Sequence, residues 1–297
     1  MALTPLFFST TAAGLGTGVD WTNRAALFTA GVWSPVLTAF DFSANAAQCF
    51  IGPGNYTQGA AMATGLFTVN APTAANPVLF CGCDSSGVLL TVPDPDWLSC
   101  QPAFVDTTLP VLATTTNIAS STLAAGHWYL IKFTSSGRNG SMVSTAASLS
   151  WCVISNTNAN TASIALGSAT SSVNCVLTCT GTSYDSVVTG PANLENCRIE
   201  GVTGSSGNRR GWAASVTAST GQLCTVVNNG GEGVVVTSTN AAQSVKLERC
   251  VIANNVGKGF VANSTASQTA YYETHNCMIT GNGTAGIDGN SNAARWL

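Results

Sequence analysis

The chain has 297 residues and a net charge of −3, and only 8% of its residues are charged. With no basic run it carries no electrostatic footprint for nucleic acid. No stretch approaches the ~20 apolar residues of a membrane span, yet 45% of the residues are hydrophobic and spread along the chain, which excludes a disordered composition.

Residues 1–15 read as an extended Ser/Thr/Ala arm whose apolar patch, Leu6, Phe7 and Phe8, suits a clamp onto a partner subunit. The segment Met1 to Phe8 lacks the basic region and the apolar length of a secretion signal. The chain is therefore expected to fold in a reducing compartment, with its 11 cysteines as buried thiols rather than disulfides. Asp20 or Thr22 is placed to cap a short helix with Ala25, Leu27 and Phe28 inward. Cys49-Phe50-Ile51 reads as a strand that runs into the turn Gly52-Pro53-Gly54. Between Asp84 and His127 the periodicity is lost, and Val92-Pro93-Asp94-Pro95-Asp96 marks a long excursion. Residues 16–126 are thus expected to hold a capping helix and irregular first coils, and residues 127–297 regular coils with longer loops at 182–191 and 204–213.

The regular region repeats itself. Cys224, Cys250 and Cys277 each begin a unit that aligns without a gap. An aliphatic residue follows two positions on (Val226, Ile252, Ile279), an Asn five on (Asn229, Asn255, Asn282) and a Gly nine on (Gly233, Gly259, Gly286). The Cys-x-aliphatic start recurs upstream at Cys152, Cys175 and Cys197, so the period is 22 to 27 residues. Such a period, with β-type runs and Asn/Gly corners, marks a solenoid whose coils are strands. Equivalent residues of successive coils then stack roughly 4.8 Å apart. This predicts an inward thiol ladder with an aliphatic ladder two residues on. It also predicts an Asn ladder at a left-handed bend and a second corner at the Gly. The fold expected is all-β, a right-handed parallel β-helix of roughly nine to eleven coils with a short N-terminal capping helix and an N-terminal arm.

Gly14-Leu-Gly16-Thr-Gly18-Val-Asp20-Trp21, followed by Ile51-Gly52-Pro53-Gly54-Asn55-Tyr56-Thr57, resembles the opening of many pectin-lyase-like β-helix proteins. Phe80-Cys-Gly82-Cys-Asp84 and His127-Trp-Tyr-Leu-Ile-Lys-Phe133 are similar to that family's early strands. The resemblance spans roughly residues 14–290. It implies a helix that caps the open end of the solenoid and a Pro-Gly turn that starts the first coil. Family lyases use a Lys or Arg base beside carboxylates that hold calcium, and family hydrolases use aspartates on adjacent coils. Neither pattern transfers to residues of this chain.

The register does place Glu195, Gln222, Glu248 and His275 in one vertical column, two residues before each Cys. Glu195 and Glu248 stand two coils apart, on the order of 10 Å, with His275 beside Glu248. That is a conceivable acid/base site, weighed against a polar column on the outer face. Cys81-Gly-Cys83 with Cys49 and Cys100 lacks the paired C-x-x-C spacing of a zinc site, so no metal and no cofactor is expected. Asp94 and Asp96 read as a turn. The segment Gly283 to Asp288 is half of a calcium-binding repeat without its neighbouring turn. Arg209-Arg210 beside Trp212 is a candidate grip for an acidic sugar, and His127 reads as a core-edge histidine.

The resemblance, together with the low charge and the arm, leads to the expectation of a non-catalytic virion protein of a tailed bacteriophage. It would decorate the capsid or form a spike, and it would be located in the virion. Its partners would be two further copies in a homotrimer, capsid or tail proteins, and host surface polysaccharide, with no nucleic acid and no membrane insertion. The alternative is a polysaccharide-degrading β-helix enzyme of lyase or glycoside hydrolase type. A surface adhesin ranks third.

Overall fold

The computed structural model describes residues 3–30, 32–58, 72–91, 109–114, 126–136, 140–143, 148–158, 163–167, 170–190, 192–202, 208–214, 219–238, 243–264 and 270–290. Their strands stack in three parallel sheets of 11, nine and seven strands, with a two-stranded antiparallel hairpin beside them. One coil shows how the chain winds. Ala192–Glu195 lies in the first sheet, Arg198–Glu200 in the second and Arg210–Ala214 in the third. The next strand, Ser219–Gln222, returns to the first sheet alongside Ala192–Glu195. The chain is a parallel β-helix.

A single residue makes the bend from the first sheet into the second. It stands immediately before each ladder Cys: Trp151, Asn174, Asn196, Leu223, Arg249 and Asn276 all have φ between 47° and 56°. Such a left-handed residue turns the strand direction without a loop, at a cost of roughly 1–2 kcal/mol for residues other than Gly and Asn. Packing must offset that cost at Trp151, Leu223 and Arg249. The Cys that follows turns inward, and its thiol donates to carbonyls of its own and the preceding coil. Cys224 Sγ, for example, lies 3.5 Å from the Leu194 carbonyl and 3.3 Å from that of Gln222. The ten described cysteines are free thiols, and all but the half-buried Cys277 are buried. Ile154, Leu177, Ile199, Val226 and Ile252 form the aliphatic ladder beside them in register. Each is buried, which stabilises the fold by about 1.5–3 kcal/mol per side chain.

The bend from the second sheet into the third divides its work between two residues. The left-handed conformation belongs to Asn228, Asn254 and Gly281; Asn229, Asn255 and Asn282, one residue later, build the amide ladder. Asn229 Nδ2 donates to Asn255 Oδ1 at 2.8 Å, and Asn255 Nδ2 donates to Asn282 Oδ1 at 2.9 Å. The expected left-handed bend thus sits one position before the ladder. Gly233 and Gly259 are required by close approach rather than by a corner. A Cβ on Gly233 would come within 2.6 Å of the Gly259 carbonyl oxygen and of Ile252 Cγ2.

Several expectations are corrected at the N-terminal end. Residues 4–9 are no free arm: Thr4–Ser9 is a strand of the first sheet, paired in parallel with Ala47–Ile51. Leu6 and Phe8 are buried in the core, and Phe7 stacks on Phe50 with centroids 4.9 Å apart. Alternation explains this, since Leu6 and Phe8 share the inward face of one strand. Leu6 and Phe8 are therefore committed to the core rather than offered to a partner, whereas Phe7 stays half-exposed on the outer face. No helix starts at Asp20 or Thr22. Asp20 instead accepts from the Asn23 backbone N–H at 2.8 Å in a turn, and Ala25–Ala26 pairs in parallel with Phe8–Ser9 to close the first sheet. The helix lies later, at Pro35–Ala39, capped by Ser34 with Pro35 in its first turn, and it buries Leu37. The stretches expected as loops at 182–191 and 204–213 contain third-sheet strands, Ser186–Thr189 and most of Arg210–Ala214. The excursion is interrupted by Val111–Thr114, a strand of the second sheet. The Asp94, Asp96 and Cys100 readings lie outside the described residues.

Candidate functional site

Strand alternation splits the first sheet into inward and outward columns. Trp128, Leu149, Leu194 and Leu247 point inward in one register, and Phe80 stacks on Trp128 with centroids 4.1 Å apart. Two columns point outward on either side of them. One runs His127, Ser148, Ser171, Asn193, Thr220, Lys246 and Glu273; the other runs Tyr129, Ser150, Val173, Glu195, Gln222, Glu248 and His275. The register expected for Glu195, Gln222, Glu248 and His275 is therefore the observed one.

Side-chain size along these columns shapes the surface. Short Ser148, Ser150, Ser171 and Val173 make a low floor between taller groups on both sides. A hollow of about 340 Å³ opens toward Leu79, His127 and Tyr129, and a second of about 280 Å³ opens toward Glu195, Gln222, Lys246 and Glu248. Ser148 and Ser150 line the first and pair directly with Ser171 and Val173, which line the second or its margin. The two hollows thus occupy adjoining rungs of one face. Burial of the Tyr129 ring raises its phenol pKa, with Cys81 adding to the effect. Thr220 Oγ1 donates to Asn193 Oδ1 at 2.9 Å, tying two neighbouring rungs together.

Glu195 and Glu248 line one hollow, but His275 does not join them. Gln222 stands between Glu195 and Glu248. Two rung spacings, about 9.6 Å, separate the backbones of the two glutamates. His275 follows Glu248 in the column, but its Nε2 lies 3.4 Å from Glu273 Oε2. Glu248 Oε1 has Arg249 Nε at 3.9 Å. The imidazole is thus paired along its own strand and not across to Glu248.

The remaining candidates are dispersed. Arg209 is buried at the bend with φ 49°, whereas Arg210 pairs with Ser186 in the third sheet. Trp212 is fully buried and donates from Nε1 to the Gly190 carbonyl at 3.4 Å, so no grip forms from these three. The Asp288 carboxylate pairs with Lys258 Nζ on the adjoining coil. His127 is exposed in the outward column, and its neighbour Trp128 fills the core. Among the described residues no cluster of three His, Cys, Asp or Glu is arranged to hold a metal ion. Tyr129, Ser171, Asn193, Thr220 and Lys246 were not singled out from the sequence. Tyr129 stands in the Glu195 column itself, and the same register extended two residues upstream aligns the other four.

No family model matches the sequence, and no curated protein matches it. Among solved structures the chain is similar to the crystal structure of pectate lyase Pel9A, with a TM-score of 0.54 at 13% identity. The similarity covers 95% of this chain and 79% of that one. At this identity the likeness extends to the fold, a parallel β-helix shared along nearly the whole chain.

Proposed function

We propose that this chain is a non-catalytic structural protein of a tailed bacteriophage virion, a capsid-decorating or spike protein that assembles as a homotrimer. The observation that carries the reading is the arrangement of the outer face. Its carboxylates are interrupted by Gln222, and its one described imidazole there beyond His127 is drawn to Glu273 instead of Glu248. A retaining glycosidase needs carboxyl groups about 5 Å apart, and an inverting one about 6.5–9.5 Å with a water between them. The Glu195 and Glu248 backbones stand about 9.6 Å apart, wider than a retaining pair, with Gln222 between them. Rigidity supports the same reading, because continuous thiol, aliphatic and amide ladders make each coil depend on its neighbours. The chain surface is poor in charge, as suits long-lived packing against other subunits. Capsid or tail proteins and host surface polysaccharide are the partners this role implies.

The second reading is a polysaccharide-degrading enzyme. It is favoured by the fold shared with a pectate lyase and by two glutamates on one open face. Light scattering on the full-length chain, together with a reducing-end assay on bacterial surface glycans, separates the two. The structural role predicts a mass three times the 30.2 kDa of one chain and no reducing ends released. A monomer, or glycan cleavage abolished by Glu248→Gln, would overturn it.

A further inference from the structure

Beyond that role, we propose that Arg209, at the bend between the second and third sheets, is a binding site for one small oxyanion, a phosphate or a carboxylate. The inference concerns a different part of the coil from the glutamate column, and it does not depend on the assembly state.

Arg209 is fixed from both sides. Its backbone N–H donates to the Tyr184 carbonyl at 3.3 Å, and its own carbonyl accepts from Tyr184 Oη at 3.2 Å and from the Gly231 N–H at 3.0 Å. The backbone is left-handed, with φ 49°, and the residue is only 6% exposed. Its side chain lies against bare backbone at Gly230, where a Cβ would come within 2.8 Å of Arg209 Cδ and 3.2 Å of Nη1. The register places Gly231 and Gly257 at the equivalent position of the next two coils, so of these three coils one alone carries a cation there.

What Arg209 lacks is a counter-charge. Its Nε is enclosed without a hydrogen-bond partner, and among the described residues no carboxylate pairs with the guanidinium. The acidic side chains of the adjoining strands are engaged elsewhere. Asp185 accepts from Asn208 Nδ2 at 3.0 Å, and Glu200 accepts from Arg198 Nε at 2.8 Å and from Asn228 Nδ2 at 2.7 Å. Glu232 stands between Arg210 and Lys258 in the neighbouring column. A buried charge is costly unless it is paired, and a guanidinium does not escape by losing its proton. Neutralisation therefore calls for an anion from outside the described residues. The planar fork of the guanidinium selects its class, because phosphate and carboxylate accept two parallel N–H···O bonds. So little of the side chain reaches the surface that the matching group is compact.

Thermal unfolding of the desalted full-length chain, with sodium phosphate, acetate or chloride added at constant ionic strength, tests this. The wild-type midpoint should rise saturably with phosphate, by about 5 °C at a hundredfold excess over Kd, and not with chloride. Arg209→Met removes the charge and keeps an apolar stem. Its midpoint in chloride should equal or exceed that of the wild type, and phosphate should give it only a general, unsaturable rise. Arg209→Lys keeps the charge without the fork, so calorimetric titration should show phosphate binding at least tenfold weaker; this comparison stands even if Arg209→Met does not fold. Light scattering distinguishes a free ion from a partner's group: no phosphate response, with a mass that falls in Arg209→Met, identifies the oxyanion as a carboxylate of a neighbouring subunit. Equal responses of wild type and Arg209→Met at equal mass would overturn the assignment. So would an Arg209→Met midpoint well below the wild type's at unchanged mass, since the charge would then already be paired within the chain. A monomer that responds to phosphate would sink the assembly role and leave the anion site standing.

Discussion

Replacing Asn255 by Ala tests whether the amide ladder holds the coils together. Asn255 is 1% exposed and joins three coils. Its Oδ1 accepts from the Asn229 backbone N–H at 3.1 Å and from Asn229 Nδ2 at 2.8 Å; its Nδ2 donates to Asn282 Oδ1 at 2.9 Å and to the Val226 carbonyl at 3.2 Å. Alanine removes all four bonds. It leaves the buried Asn229 backbone N–H and one of its two Nδ2–H groups without an acceptor, while the other keeps the Val227 carbonyl at 3.1 Å. An orphaned buried polar group costs about 1–3 kcal/mol. With two donors stranded on Asn229 and partial relaxation around a small void, the loss should be about 3–5 kcal/mol. Asn282→Ala is the internal control, because Asn282 is only half-buried and water can replace its bonds; about 1–2 kcal/mol is expected there. Repeat proteins can lose two-state behaviour, so the suitable assay is native-state hydrogen exchange read at the Asn229 amide. Protection there should fall by about two to four orders of magnitude in Asn255→Ala and by about one in Asn282→Ala. Equal effects of the two substitutions, or a loss below 1 kcal/mol in Asn255→Ala, would refute the ladder as a source of stability.

Gly233→Ala should destabilise by about 1–3 kcal/mol through overpacking, because the new Cβ would meet the Gly259 carbonyl and Ile252 Cγ2 at 2.6 Å; an unchanged melting temperature would show that the coils can part at no cost. Burial raises the Cys81 thiol to about 11 and the Cys83 thiol to about 12 from an ordinary 9.0. Folding thus favours their protonated forms, so their contribution is complete below pH 9 and is lost as pH rises toward 11 and 12. Melting temperatures measured from pH 8 to 11 should fall, and Cys81→Ala should flatten the decline; an identical slope in that variant would be the contrary result. Thiol-specific alkylation at pH 8 should label the native chain at Cys277 before any other described cysteine, since that thiol alone among them is not fully buried. Ser34→Ala should cost about 1 kcal/mol by removing the cap of the short helix, and denaturant titration would detect it.

The solenoid was legible because stacking forces equivalent residues into one chemical class, and three coils aligned without a gap. The outward columns followed from the same register, so Glu195, Gln222, Glu248 and His275 were placed correctly. That His275 stays apart from the glutamates was not legible, since it depends on which way its ring turns, and Glu273 is two residues away in its own strand. The bend was misplaced by one residue for a related reason. Asn228-Asn229 and Asn254-Asn255 are identical pairs, so sequence does not say which Asn takes the left-handed backbone. The third coil does say, because Gly281 replaces the first Asn while Asn282 keeps the second. The bend before each Cys carries only a partial compositional mark: Asn occupies it at 174, 196 and 276, but Trp151, Leu223 and Arg249 adopt the same backbone, held there by the inward packing of the neighbouring Cys and aliphatic residue. The N-terminal strand was hidden by length. Leu6 and Phe8 alternate as a buried strand should, but six residues without a repeat partner in sequence read equally well as an arm. Their partner, Cys49 to Ile51, lies more than 40 residues away, and pairing at that distance is settled by packing of the whole first coil rather than by any local pattern.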